Sequence, residues 1–83
     1  MKIQVRYFAA LREALGPLET VELEAGATLG ALREHLLSRG GRHARALARG
    51  RAVRCALDQM MSDESALLRE GAEVAFFPPV TGG

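Results

Sequence analysis

Apolar and polar positions alternate over the first residues of the chain. Every second side chain is apolar over residues 2–8, and this period of two predicts a strand with one buried face. Residues 9–15 change to helical spacing and stop at Gly16-Pro17, which predicts one or two helical turns. The alternation returns over residues 20–24 and predicts a second strand with a charged outer face.

A longer helix is predicted after the second strand. Thr28 is a suitable N-cap, and four leucines follow on one helical stripe, at positions 29, 32, 36 and 37. Gly40-Gly41 offers a helix stop, so the helix is expected to end near residue 39. Arg33 lies next to Glu34 and cannot pair with it along the helix. Residues 42–50 are interpreted as a connector, with a short helix around 44–48 left open.

The second half of the chain alternates again. A third strand is predicted over residues 52–57, with Cys55 pointing into the core, and Asp58 begins a turn. The pair Met60-Met61 belongs to a short return segment and is interpreted as gap-filling core rather than binding surface. A tight turn over residues 66–71 then leads to a last strand over residues 74–77.

This element order predicts an α+β protein. One main helix covering a mixed sheet of four to five strands is the β-grasp, or ubiquitin-like, arrangement. We expect a single β-grasp domain over residues 1–79 and a flexible tail over residues 80–83. Because Pro78 supplies no N–H to a ladder, it should end the last strand.

The composition indicates in which part of the cell the protein works. The chain has 83 residues and a formal net charge of +1, and it lacks a run of the roughly 20 apolar residues that a membrane-spanning helix needs. It shows no export signal, and its single cysteine excludes an internal disulfide. We therefore expect a soluble, cytoplasmic protein that does not act at a membrane.

Arginines concentrate in the middle of the chain, where no acidic residue separates them: Arg39, Arg42, Arg45, Arg49, Arg51 and Arg54. Nucleic acid is not the expected partner, since the segment has no aromatic residue for base stacking and the whole chain is nearly neutral. An acidic face on a partner enzyme, or a solvated surface, is favoured. His35 and His43 have no further ligands at metal-binding spacing, so no metal site is predicted.

The C-terminus carries the candidate chemistry. The chain ends in Gly82-Gly83, and a terminus without side chains suits entry into a narrow channel, where a Cβ would meet the wall. A carboxylate is a poor electrophile, so reaction there requires activation, typically as an acyl-adenylate. The competing interpretation is a frayed chain end without function.

Residues 73–83, EVAFFPPVTGG, resemble the terminal signature of the molybdopterin synthase small subunits. Residues 5–13, VRYFAALRE, resemble the opening segment of that family, and residues 56–59, ALDQ, stand where its members turn out of the third strand. The likeness covers most of the chain and is weakest across residues 39–50.

The resemblance implies a sulfur carrier. An E1-like enzyme would use ATP to adenylate Gly83, and a persulfide donor would convert the carboxylate to a thiocarboxylate. Val80, Thr81 and Gly82 would thread into the large synthase subunit, where the sulfur would pass to cyclic pyranopterin monophosphate and form the molybdopterin dithiolene. The resemblance also implies a heterotetramer of two small and two large subunits, with no cofactor bound to this subunit and the catalytic side chains on the large one.

Strand parity predicts where the large subunit binds. Phe77 should lie on the opposite sheet face from Val74 and Phe76, exposed beside Pro78 and Pro79, and these three residues are the predicted docking site. Three alternatives stay open: a sulfur carrier for thiamine or tRNA thiolation, a ubiquitin-like protein modifier, and a binding module with an inert tail.

Overall fold

The computed structural model describes residues 1–79. Five strands and three helices follow one another along the chain: β1 (Lys2–Tyr7), α1 (Ala9–Leu15), β2 (Leu18–Glu22), α2 (Leu29–Leu37), α3 (Gly41–Ala46), β3 (Arg54–Leu57), β4 (Met60–Ser62) and β5 (Glu73–Phe77).

The five strands form one mixed sheet in the order β2-β1-β5-β3-β4. β1 and β5 are parallel neighbours in the middle of the sheet, and the other three pairs are antiparallel. Because parallel neighbours need a crossover, the chain between them must pass over a face of the sheet, and the helices lie on this path. The predicted α+β, β-grasp architecture is confirmed.

The core lies between the helices and one face of the sheet. The alternating residues Ile3, Val5 and Tyr7 of β1 are buried, as are Val74 and Phe76 of β5. Leucines 29, 32 and 36 of α2 are fully buried, whereas Leu37 is only partly so. The Thr28 side chain accepts a hydrogen bond from the Ala31 N–H at 3.1 Å, as expected of the N-cap.

β2 begins and ends two residues earlier than predicted. Its register with β1 pairs Leu18 with Arg6 and Glu22 with Lys2. Beyond this ladder, the Leu23 N–H donates to the Met1 carbonyl at 2.9 Å and the Met1 amine donates to the Leu23 carbonyl at 2.6 Å. The sequence pattern could not fix the bounds of the strand, because a shift of two residues leaves the alternation unchanged.

The connector after α2 contains a helix, α3, which starts at Gly41 rather than near residue 44. Gly40 has a φ of 70°, so the chain reverses there at little cost. Leu47, which follows α3, is fully buried in the core. The short apolar pattern did not identify this residue as core, because α3 is held by contacts with distant residues.

Arg33 of α2 supplies those contacts. Its guanidinium is buried and donates through Nε to the Leu47 carbonyl and through Nη2 to the Ala48 carbonyl, each at 2.9 Å. Nη1 donates to Glu64 at 3.0 Å. Arg33 thus has no partner along its own helix, as predicted, but binds the end of α3 to the loop after β4.

The return segment is a strand, β4, and its methionines are not core. Met60 and Met61 are 74% and 61% exposed, so their interpretation as gap-filling core was wrong. β4 is an edge strand, paired with β3 on one side alone. With no helix above it, it has nothing against which long side chains could be buried.

Candidate tail exit and docking face

The last described residues of the chain leave the sheet at the end of β5. Phe76 is buried, and Phe77 lies on the opposite face beside Arg54 of β3, its partner in the ladder. The predicted split of the two phenylalanines is confirmed. Phe77 is half-buried, however, and not exposed as expected, because neighbouring strands flank it on the sheet.

The face that carries Phe77 has no helix over it, and we call it the open face. Residues directly opposite in neighbouring strands share a face. One row therefore crosses the entire sheet: Leu18, Arg6, Ala75, Ala56 and Met61.

The open face is apolar over much of this row. Leu18 is 51% exposed and Met61 is 61% exposed, and Ala56 of β3, in the same row, is buried. Phe8, which directly follows the buried Tyr7, is 42% exposed at the end of β1. Arg6 crosses the face and pairs with Glu73 at 3.1 Å. Leu18 and Met61 thus lie at the two edges of the sheet, and exposed apolar side chains on a face that no helix covers are typical of a protein interaction surface.

Sequence reasoning identified Phe77 but missed the rest of this surface. Phe8 has the same parity as the outward residues Lys2, Gln4 and Arg6 of β1 but is apolar. The sequence therefore already contained a signal for an apolar residue on the open face. The contributions of Leu18 and Met61 depend on strand order and register, which the pattern within a single strand does not contain.

Pro78 and Pro79 follow Phe77 directly, and no strand continues beyond Phe77 among the described residues. Both prolines are half-buried, and they line a depression of about 280 Å³ together with Ala10 and Leu11 of α1. Pro78 and Pro79 therefore lie on the side of the domain that carries α1. We call residues 77–79 the tail exit. Val80, Thr81, Gly82 and Gly83 lie outside the described residues, and their threading and activation stay predictions.

Cys55 is buried, which confirms its placement in the core. Its Sγ lies 3.3 Å from the backbone oxygen of Ser62, to which it donates a hydrogen bond. Burial, reinforced by the charge of Glu64, raises the pKa of this thiol. A thiol that is buried and protonated is a poor nucleophile, so Cys55 is unsuited to carrying sulfur.

The two histidines lie in different surroundings. His35 is exposed on α2, and the ring of His43 lies 3.0 Å from a carboxylate oxygen of Glu19. Tyr7 and Arg39 bind the same carboxylate. Within residues 1–79, no three histidine, cysteine or acidic side chains converge as a metal site would need. No helix in this part of the chain is long and apolar enough to cross a membrane.

Comparison with known proteins agrees with the fold. The profile of the ThiS family matches residues 5–83. A molybdopterin synthase sulfur carrier subunit of Haemophilus influenzae is 43% identical over 98% of this chain and 99% of its own length. Its counterpart in Escherichia coli is 41% identical with the same coverage of both chains.

Among solved structures, the protein–protein complex of subunits 1 and 2 of the molybdopterin-converting factor from Helicobacter pylori contains a chain with the same fold. It superimposes with a TM-score of 0.72 over 100% of both chains, at 24% identity. Because the family profile and the relatives span nearly the entire sequence, the chain belongs to the ThiS family and, within it, to the molybdopterin synthase sulfur carrier subunits.

Proposed function

We propose that this protein carries sulfur on the carboxylate of Gly83 and delivers it for assembly of the molybdopterin dithiolene. The observation that carries the proposal is the full-length identity to sulfur carrier subunits of molybdopterin synthase. The geometry of residues 1–79 supports it, since β5 ends at Phe77 and Pro78 and Pro79 follow outside the sheet.

The chemistry begins with activation. An E1-like enzyme converts the Gly83 carboxylate to an acyl-adenylate at the expense of ATP, which replaces a poor leaving group with a good one. The terminal sulfur of a donor persulfide then displaces AMP and forms an acyl disulfide. A second thiol on the enzymes of this step attacks the donor's sulfur in that bond, which releases the thiocarboxylate and leaves a disulfide behind. Val80, Thr81 and Gly82 carry Gly83 away from the domain. These four residues span at most roughly 14 Å when extended, which is enough to place the terminus inside a partner while the domain stays outside.

Delivery takes place in the large synthase subunit. Phe77, Pro78 and Pro79 lie where the open face meets the tail, so docking of this region aims the tail into the partner. The Helicobacter pylori complex of subunits 1 and 2 supports such a partner. In the assembly proposed here, two small and two large subunits form a heterotetramer in the cytoplasm.

Within this assembly the carrier is a co-substrate. Sulfur passes from the thiocarboxylate to cyclic pyranopterin monophosphate, and the large subunit supplies the acid–base groups. The thiol of Cys55 takes no part, because it is buried on the helix-covered side of the sheet.

A reconstituted reaction tests the proposal through the length of the tail. Deleting Gly83, or adding one residue after it, should abolish sulfur transfer, because only a free carboxylate at the correct reach can be adenylated. The melting temperature should not move, since the change lies beyond the core. Loading of either variant at the wild-type rate, with the sulfur located away from the C-terminus by mass spectrometry, would show that the terminal carboxylate is not the carrier.

A further inference from the structure

The six arginines of the middle segment divide into groups with different surroundings. Arg39 pairs with Glu19, and Arg49 pairs with both Glu34 and Glu64. These two arginines stabilise the domain. Arg42, Arg45 and Arg51 are exposed and form no ion pair within residues 1–79.

Arg54 of β3 is likewise exposed and unpaired within residues 1–79, whereas Arg42, Arg45 and Arg51 converge on a groove between α1 and α3. Arg42 and Arg45 lie three residues apart on one face of α3, and Arg51 follows the helix. The groove encloses about 440 Å³, and Glu13 is the one acidic residue that lines it within the described part of the chain. We call it the α1–α3 groove. Three cations against one anion make it a strongly positive depression on a nearly neutral protein.

This groove is continuous with the tail exit. Ala10, Leu11, Ala46 and Arg51 line both the α1–α3 groove and the depression beside Pro78 and Pro79. The positive surface therefore begins where the tail leaves the domain. A protein whose channel takes up residues 80–83 lies close to the tail exit, and it can approach either from the side of this groove or from the open face.

We propose that the α1–α3 groove receives acidic side chains at the rim of the activating enzyme's channel. This inference rests on the proposed function and assigns a second recognition surface to it. Exposed charges contribute mainly to the rate and specificity of encounter, and little to affinity. Such a contact fits a partner that must release each carrier after activation, whereas the apolar open face fits a lasting complex with the large subunit.

Two other occupants fit the groove less well. Nucleic acid would need aromatic side chains for stacking, and none lines the groove. The chain's own terminal carboxylate is the other candidate, but it carries one charge and would have to leave the groove before activation. This self-docked state is an outcome of the test below.

The test compares two double variants of equal net charge. Arg42→Glu/Arg45→Glu reverses the groove, and Arg12→Glu/Arg69→Glu reverses two exposed arginines that do not line it. Pyrophosphate release by the activating enzyme is measured with each carrier at subsaturating concentration. Because a glutamate in the last turn of α3 opposes the helix dipole, Arg42→Gln/Arg45→Gln serves as a second, milder variant, with folding checked by circular dichroism.

We expect the groove reversal to lower kcat/KM at least tenfold at low salt, with kcat unchanged. The control should stay within about twofold, and the difference should shrink near 1 M salt, where the Debye length is about 3 Å. Binding to the large subunit should not change.

Four results would overturn the inference. The first is an unchanged kcat/KM in both groove variants, and the second is an equal loss of kcat/KM in the control. The third is a loss of affinity for the large subunit with no change in kcat/KM. The fourth is a change in the NMR shifts of the Arg42 and Arg45 side chains when residues 80–83 are deleted, which would place the tail in the groove. Wild-type carrier that releases no pyrophosphate would instead refute the proposed function itself.

Discussion

At the scale of single residues, burial decides which side chains can take part in chemistry. Cys55 alternates with Val53 and Leu57 along the chain, so its inward direction could be predicted from the sequence. Phe77 was placed on the correct face by the same parity argument. Its half-buried state could not be predicted, because it depends on Arg54, which is brought beside it by strand pairing.

Cys55→Ala should retain full sulfur-carrier activity. The substitution removes one buried sulfur atom and its hydrogen bond to Ser62, so the free energy of unfolding should fall by about 1 kcal/mol through a small void. Urea denaturation measures the stability, and single-turnover sulfur transfer measures the activity. Trapping an obligatory persulfide on Cys55 would contradict this assignment.

Phe77→Ser should weaken binding to the large subunit at least tenfold, or about 1.4 kcal/mol. An aromatic side chain beside the tail exit is a suitable interface hot spot, and serine removes its apolar area. Since Phe77 is half-buried, a small decrease in melting temperature should accompany the loss. Leu67→Ser, at an exposed leucine in the loop between β4 and β5, is the matched control. Equal affinities of both variants in calorimetric titration would exclude Phe77 as a hot spot.

At the scale of elements, long-range polar contacts hold the segments whose local pattern is weak. α1 has the predicted bounds and α2 the predicted start, because the helical spacing and the Thr28 cap are local signals. α3 was not predicted with its observed bounds, because the contacts that hold it join residues far apart in the sequence. Arg33 of α2, for example, donates to the carbonyl of Leu47 at the end of α3, 14 residues further along the chain.

Arg33→Met should destabilise the protein by about 2 kcal/mol. It keeps most of the apolar stem but leaves the Leu47 and Ala48 carbonyls without their donor, and an unsatisfied buried acceptor costs about 1–3 kcal/mol. Arg12→Met, at an exposed arginine, is the matched control. The difference is measured by urea denaturation. If both variants unfold at the same urea concentration, the contact of Arg33 with α3 adds nothing to stability.

Stability should fall as the pH drops below about 4.5, the ordinary value for a glutamate. Hydrogen bonds from Arg49 and then Arg33 lower the pKa of Glu64 against the opposing effect of burial. For Glu19, burial would raise the pKa, but hydrogen bonds from His43, Arg39 and Tyr7 lower it overall. In this pH range the unfolded chain binds more protons than the folded one, so acid favours unfolding.

Glu64→Gln should remove part of this pH dependence. The variant should be less stable than wild type at neutral pH, and its free energy of unfolding should change less between neutral pH and the acidic range. Urea denaturation across this range measures both slopes. Parallel curves for the two proteins would show that Glu64 does not contribute to the acid sensitivity.

At the scale of the whole molecule, the sheet separates two tasks. One face packs against the helices and builds the core, and the other presents Phe77, Leu18 and Met61 to a partner. The element order alone was enough to predict the β-grasp. The composition of the open face required the register of five strands, in which β1 pairs with β5 from the far end of the chain, and no local pattern encodes such a pairing.

The intact mass of the protein purified from the cells that produce it tests the central claim most directly. We predict a fraction in which one terminal oxygen is replaced by one sulfur, and tandem mass spectrometry should localise this sulfur to Gly83. The fraction should disappear when the activating enzyme is deleted. A sulfur localised to Cys55, or a C-terminus found only as free carboxylate or joined to lysines of other proteins, would contradict the account.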